Sequence, residues 1–190
     1  MKSMRESISP GLVMTLGLLI LGGLILYSWF SDGGVTAPSS FTATDWQPPE
    51  DRKTLDVSAT LQDLDGRKVK IDDLDDKVLF INLWATWCGP CRIEMPSMAD
   101  LHHEFSSKGL RIVAISDEDP ETVRQYLERN PYPFQILMDE EGTLFRKLGI
   151  TGIPASLILD QQRRVAYAHT GALDWYSPQI RDRFYKLLNE

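Results

Sequence analysis

Two cysteines stand three residues apart in Trp87-Cys88-Gly89-Pro90-Cys91, and the 190-residue chain holds no others. Thiols at that spacing can close into a disulfide and reopen, so thiol-disulfide exchange is the chemistry to expect. An apolar run, Val78 to Trp84, leads into the pair and suits a buried strand. After it, Met95, Met98, Leu101 and Phe105 recur at helical spacing. The pair therefore sits where a strand turns into a helix. Unpaired N–H groups and the positive end of the helix dipole favour a thiolate there. Cys88, nearest the helix start, is the expected nucleophile, and Cys91 is placed to attack it in turn. Gly89-Pro90 fixes the turn and leaves the sulfur accessible.

The elements that must hold this turn can be read on either side of it. Thr54 to Thr60 and Lys68 to Ile71 read as a hairpin turning at Asp65-Gly66. Leu110 to Ser116 is a second apolar strand behind Gly109, which ends the active-site helix. Pro96 falls inside that helix and is expected to kink it. Asp119-Pro120 opens the next helix as N-cap and first position, and Asn130-Pro131 stops it. A short strand (Phe134 to Met138), a short helix (Glu140 to Leu148), a hairpin (Ala155 to Leu159 with Arg164 to His169) and a last helix capped by Ser177-Pro178 follow. Strands alternating with helices give an α/β sandwich with a mixed sheet and helices on both faces.

About 140 residues after position 50 suffice for one well-packed domain. A net charge of −7 and the lack of a basic stretch argue against nucleic-acid binding. With both cysteines in one motif and three histidines without ligand spacing, neither a structural disulfide nor a zinc site is expected. No cofactor is called for. Met95 and Met98 read as packing, His102 and His103 as surface and helix-face residues, and Asp117-Glu118-Asp119 as a solvated loop.

Gly11 to Phe30 carries no charge over 20 positions, about the length of a membrane-spanning helix. Lys2 and Arg5 precede it and the next basic residue is Arg52, so residues 1–10 are expected in the cytoplasm and the rest outside. A cleaved signal peptide is the rival reading, with Val35-Thr36-Ala37 as the cleavage site, but Pro38 directly follows it. Residues 31–53, rich in Gly, Ser, Thr, Asp and Pro, read as a flexible tether reaching roughly 25 Å. Residues 54–190 form the domain.

Trp87-Cys88-Gly89-Pro90-Cys91 matches the thioredoxin active site. The wider run Asn82 to Pro96 resembles the membrane-anchored thiol-disulfide reductases of the TlpA/ResA type. The resemblance spans about residues 54 to 189 and implies a thioredoxin-like fold with an N-terminal hairpin extension. It also implies that Cys88 is the solvent-exposed thiol and that Gly89-Pro90 goes with a reducing potential. Glu94 lies on the helical face of Cys91; spacing alone favours a solvent-facing glutamate, whereas the resemblance implies an acid/base role toward Cys91. Asn82, polar within a buried strand, calls for a hydrogen-bond partner. It stands where thioredoxin has a proton-accepting aspartate, which shifts that task toward Glu94. Gly152-Ile153-Pro154 falls at the family's cis-proline loop, which faces the cysteines and lets the Ile153 backbone pair with an extended substrate. Trp87 borders the site, and Trp84 belongs to the core.

The expected activity is that of a membrane-tethered, extracytoplasmic protein-disulfide reductase of the cytoplasmic membrane. By resemblance its partners are oxidised proteins such as apocytochrome c or copper-site proteins, with a membrane thiol carrier as electron donor. A dithiol oxidase or isomerase shares the motif but usually brings a further domain. A Cu(I)-binding assembly factor would use Cys88, Cys91 and a methionine. A peroxidase would need a threonine where Ala85 stands.

Overall fold

The computed structural model describes residues 45–190. Their strands are β1 (Thr60–Asp63), β2 (Lys68–Lys70), β3 (Val78–Leu83), β4 (Leu110–Ser116), β5 (Gln135–Met138), β6 (Ala155–Leu159) and β7 (Val165–Thr170). They form one sheet in the order β2-β1-β5-β4-β3-β6-β7. β3, β4 and β5 run parallel, and the other pairings are antiparallel. β3 lies inside this sheet with every residue buried. That explains a continuous apolar run rather than alternation, since both sheet faces are covered.

The helices are α1 (Gly89–Phe105), α2 (Pro120–Arg129), α3 (Thr143–Lys147) and α4 (Pro178–Leu188). Phe80 and Trp84 pack on one face with Met95, Met98, Leu101 and Phe105 of α1, Val123 of α2 and Phe184 of α4. Leu79, Ile81 and Leu83 pack on the other face with Leu144 and Phe145 of α3. α1 runs on through Pro96 and ends in a 3-10 turn, Ser106–Lys108, before Gly109 at φ 106°.

Several boundaries move from the sequence reading. The hairpin's first strand starts at Thr60 instead of Thr54, because its partner strand ends at Lys70, where Ile71–Asp73 coils into a 3-10 turn. Asp63 Oδ1 accepts from the Asp65 and Arg67 amides, with Gly66 at φ 79°. α3 begins at Thr143 because buried Asp139 accepts from the amides of Thr143, Leu144 and Phe145 and so fixes the first turn. Ser177 occupies the N-cap position of α4 without a side-chain capping bond.

The expected tether of residues 31–53 is too long at its C-terminal end. Gln47 N–H donates to Ala166 O (2.8 Å) and Val165 N–H to Lys53 O (2.9 Å), so residues 47–53 lie along β7. Trp46 stacks on Tyr167 (4.8 Å) and meets Phe184 edge-on. Arg52, with its side chain only 5% exposed, pairs with Asp160 and Glu190. An aromatic anchor and a guanidinium clamp thus make residues 45–53 part of the domain. The expected membrane helix of residues 11–30, the stretch 1–10 and residues 31–44 of the tether lie outside the described residues. Among the described residues no helix is long and apolar enough to cross a membrane.

Candidate active site

At its C-terminal end β3 passes into Trp84, whose amide donates to Ile115 O (3.0 Å) and carries the parallel β3–β4 pairing one residue further. Ala85 O then accepts from Cys88 N–H (3.1 Å), closing the turn into α1. Between them, Thr86 is gripped by Glu118, which accepts from the Thr86 amide (2.6 Å) and hydroxyl (2.7 Å). Glu118 also accepts from Ser116 Oγ (3.1 Å). The acidic run that read as a solvated loop therefore contributes a partly buried carboxylate to the active-site turn.

Cys88 and Cys91 are joined as a disulfide, S–S 2.06 Å. Cys88 is the N-cap of α1, and its Sγ accepts from Cys91 N–H at 3.2 Å. A donor already aimed at this sulfur stabilises negative charge on it. The expected exposure of Cys88 is corrected: in the disulfide it is only 4% exposed. Acting as helix cap turns the sulfur into the first turn instead of outward. Cys91 is fully buried, so the small access that remains belongs to Cys88.

Exposed apolar residues flank the cysteine pair along the chain. Trp87 is 71% exposed and Ile93 76%, while Pro90 is exposed and Gly89 half-buried. A Cβ added at Gly89 would meet nothing within 4 Å, so neither packing nor backbone conformation demands glycine there. Sequence reasoning missed Ile93 because an isoleucine on a helix is ordinarily core.

Glu94 does not face solvent. It is 1% exposed. Its Oε1 accepts from Asn82 Nδ2 (2.8 Å), and its Oε2 from Trp175 Nε1 (2.9 Å) and Leu173 N–H (3.1 Å). Burial pushes its carboxyl above the ordinary carboxylate range, and the bonds from Trp175, Asn82 and Leu173 oppose that rise. Asn82 Nδ2 also donates to Ser156 Oγ (2.9 Å), while its Oδ1 is buried and has no hydrogen-bond partner among the described residues. Trp175, Leu173 and Ser156 carried no local sign of this role, since Trp175 lies 81 residues from Glu94.

The Ile153–Pro154 peptide bond is cis. Leu83 of β3 pairs with Ala155 of β6, which sets this loop beside the entry to the cysteine turn. Pro154 is buried and Ile153 half-buried, and Ile153 packs against the apolar clusters of both sheet faces. Pro154 O accepts from Gly171 N–H (2.8 Å), where Gly171 sits at φ 107°. Trp84 is buried, as are Met95 and Met98; His102 is half-buried and His103 exposed.

Residues 53–168 match the model of the AhpC/TSA family. Among named relatives, thiol-disulfide oxidoreductase ResA of Halalkalibacterium halodurans is 30% identical over 133 residues, covering 70% of this chain and 74% of that protein. ResA of Geobacillus thermodenitrificans is 28% identical over 174 residues, 91% of this chain and 92% of its own. A solved thiol:disulfide interchange protein of the thioredoxin family from Chlorobium tepidum TLS superposes with a TM-score of 0.61 at 29% identity, covering 72% of this chain and 97% of that one.

Proposed function

Given that the chain belongs to the AhpC/TSA family of thioredoxin-like proteins and is a thiol-disulfide oxidoreductase of the ResA type, we propose that it works as a reductant of protein disulfides through Cys88 and Cys91. The observation that supports this most directly is a disulfide at a helix N-terminus with a buried carboxylate one turn along the same helix. In the dithiol form, Cys88 thiolate attacks one sulfur of a partner's disulfide. A Cys88–partner disulfide forms, and the partner's other sulfur leaves as a thiolate that takes a proton from solvent. Cys91 then gives its proton to the Glu94 carboxylate and attacks Cys88 Sγ. The Cys88–Cys91 disulfide closes, the partner leaves with both sulfurs reduced, and two electrons have moved.

Trp87, Gly89 and Pro90 form the surface against which the partner docks, and the Ile153 backbone beside Pro154 pairs with its extended segment. Asn82 orients Glu94. The chain is held at the cytoplasmic membrane by residues 11–30 with its domain outside. It receives electrons from a membrane thiol carrier and serves oxidised extracytoplasmic proteins, apocytochrome c or copper-site proteins among them. Equilibrating the Cys88–Cys91 pair with a dithiol buffer of known potential tests the direction. A value near the thioredoxin end, about −270 mV, supports a reductant, and one near about −120 mV makes the protein an oxidant.

A further inference from the structure

We infer that Trp175 is a positioning residue for the proton step: its indole N–H, together with the Leu173 amide, fixes the buried Glu94 carboxylate where Cys91 can pass it a proton. The inference rests on the role proposed above for Glu94. Trp175 lies in the connection between β7 and α4 and is fully buried, its ring 4.6 Å from that of Phe80. Packing alone needs only an apolar ring of that bulk. The indole adds one donor, and that donor points at Glu94 Oε2 from 2.9 Å.

The connection is also latched to the turn of helix that carries Glu94. Trp175 N–H donates to Ser97 Oγ (3.0 Å), and the Ser97 hydroxyl donates to Glu94 O (2.7 Å). Backbone and side chain of one residue thus reach the same helical turn, and the backbone that carries the indole is tied to the turn that carries the carboxylate.

The groups facing Glu94 make this donor count. From β3 comes Asn82, and behind it Ser156 of β6, whose register partner on β7 is His169. On β7, Tyr167 lies edge-on to Trp175, 6.3 Å between ring centroids. Cys91 precedes Glu94 on its own helix, and Asp174 of the connection is exposed. Among the described residues, none of the hydrogen-bond partners of the carboxylate is a cation. Its charge is supported by three N–H dipoles, so losing one should matter. A hydrogen bond to a charged group corresponds to about a tenfold change in proton affinity, or about one pH unit.

The sign follows from which form the donor favours. The indole N–H stabilises the ionised carboxylate, so Trp175→Phe makes Glu94 hold its proton to higher pH. Only ionised Glu94 accepts the Cys91 proton, and the acid limb of turnover therefore moves upward. The test uses the full chain, reduced beforehand and followed through a single turnover with Ellman's reagent as the disulfide, comparing wild type, Trp175→Phe, Ser97→Ala and Glu94→Gln. In parallel, the indole N–H resonance of Trp175 is followed by NMR against pH in wild type and Glu94→Gln, a readout that survives a poorly folded Phe variant.

The inference expects an acid limb raised by about one unit in Trp175→Phe and shifted the same way in Ser97→Ala. It also expects an indole resonance that titrates in wild type and stays still in Glu94→Gln. An indole resonance indifferent to pH, or a Trp175→Phe profile lying on the wild-type curve, would overturn it. Wild-type turnover by Glu94→Gln would instead remove Glu94 from the reaction, and the inference with it. That failure shows in the kinetics while the indole titration stands, so the two are told apart.

Discussion

Glu118 holds Thr86 by both ends, one carboxylate oxygen on the backbone amide at 2.6 Å and the other on the hydroxyl at 2.7 Å. The gripped residue is two before Cys88, so this carboxylate sets the path by which the chain leaves β3 and enters α1. Hydrogen bonds to a charged acceptor are stronger than neutral ones. Glu118→Ala is expected to lower the stability of the oxidised protein by about 2 kcal/mol. Denaturant unfolding of Glu118→Ala, Thr86→Val and the double variant checks this. The double variant should be little worse than Glu118→Ala alone, because Thr86→Val removes only the hydroxyl contact, which Glu118→Ala has already lost, and leaves the amide bond in place.

Burial of Glu94 makes a second prediction, in the pH dependence of stability. Its carboxyl sits above the ordinary range because burial penalises the charged form. The folded protein therefore holds a proton there that the unfolded chain has released. That contribution to stability is complete below the ordinary glutamate value and is lost as pH rises through the raised one. Between those two points wild type should lose stability more steeply than Glu94→Gln, which has nothing to ionise. Urea midpoints across mildly acidic to neutral pH compare the slopes, and identical slopes would count against a raised Glu94.

Trp46 gives a third. It stacks on Tyr167 at 4.8 Å and meets Phe184 edge-on, ahead of a segment that would otherwise read as linker. Trp46→Ala is expected to cost about 2 kcal/mol, less than a fully buried tryptophan because this ring is partly exposed. Reduction of a small disulfide should be unchanged, since the ring's contacts are with Tyr167 and Phe184. Thermal unfolding and an Ellman's-reagent assay report the two effects separately.

Ile93 supplies the fourth. An isoleucine 76% exposed in the helix that the disulfide opens, two residues after Cys91, contributes little to the fold and is free to meet a partner. Ile93→Ser should raise KM for a protein disulfide by about fivefold, from lost apolar contact, and leave a small disulfide unaffected. Equal losses on both substrates would mean the change reached the sulfurs.

What could be read in the sequence followed from local signals. The run of β3 is buried throughout and that of β4 is buried apart from Arg111, and Gly109 comes just ahead of β4. Asp119-Pro120 carries its own capping chemistry, with Asp119 Oδ1 accepting from the Glu121 and Thr122 amides. The cysteine pair declares its place by spacing. What could not be read depends on contacts between distant positions. Whether Glu94 faces water or core is decided by Trp175 and Leu173, roughly eighty residues on. Glu118 sits in an acidic run whose composition says solvent, and only the β3–β4 pairing brings it to Thr86. Residues 45–53 have the composition of a tether, yet one tryptophan and one arginine find partners across the domain. The exposure of Cys88 is what the resemblance implies, and the oxidised sulfur's role as helix cap is a matter of side-chain direction, which a motif match does not carry.

The division of labour between the two sulfurs is tested most directly by intact-mass analysis of reduced single-cysteine variants mixed with an oxidised protein substrate. Cys91→Ala should accumulate a lasting covalent adduct on Cys88, whereas Cys88→Ala, left with the fully buried sulfur, should form one far more slowly. An adduct on Cys91 forming as fast as that on Cys88, or a Cys91→Ala protein that turns over like wild type with no adduct, would contradict the account.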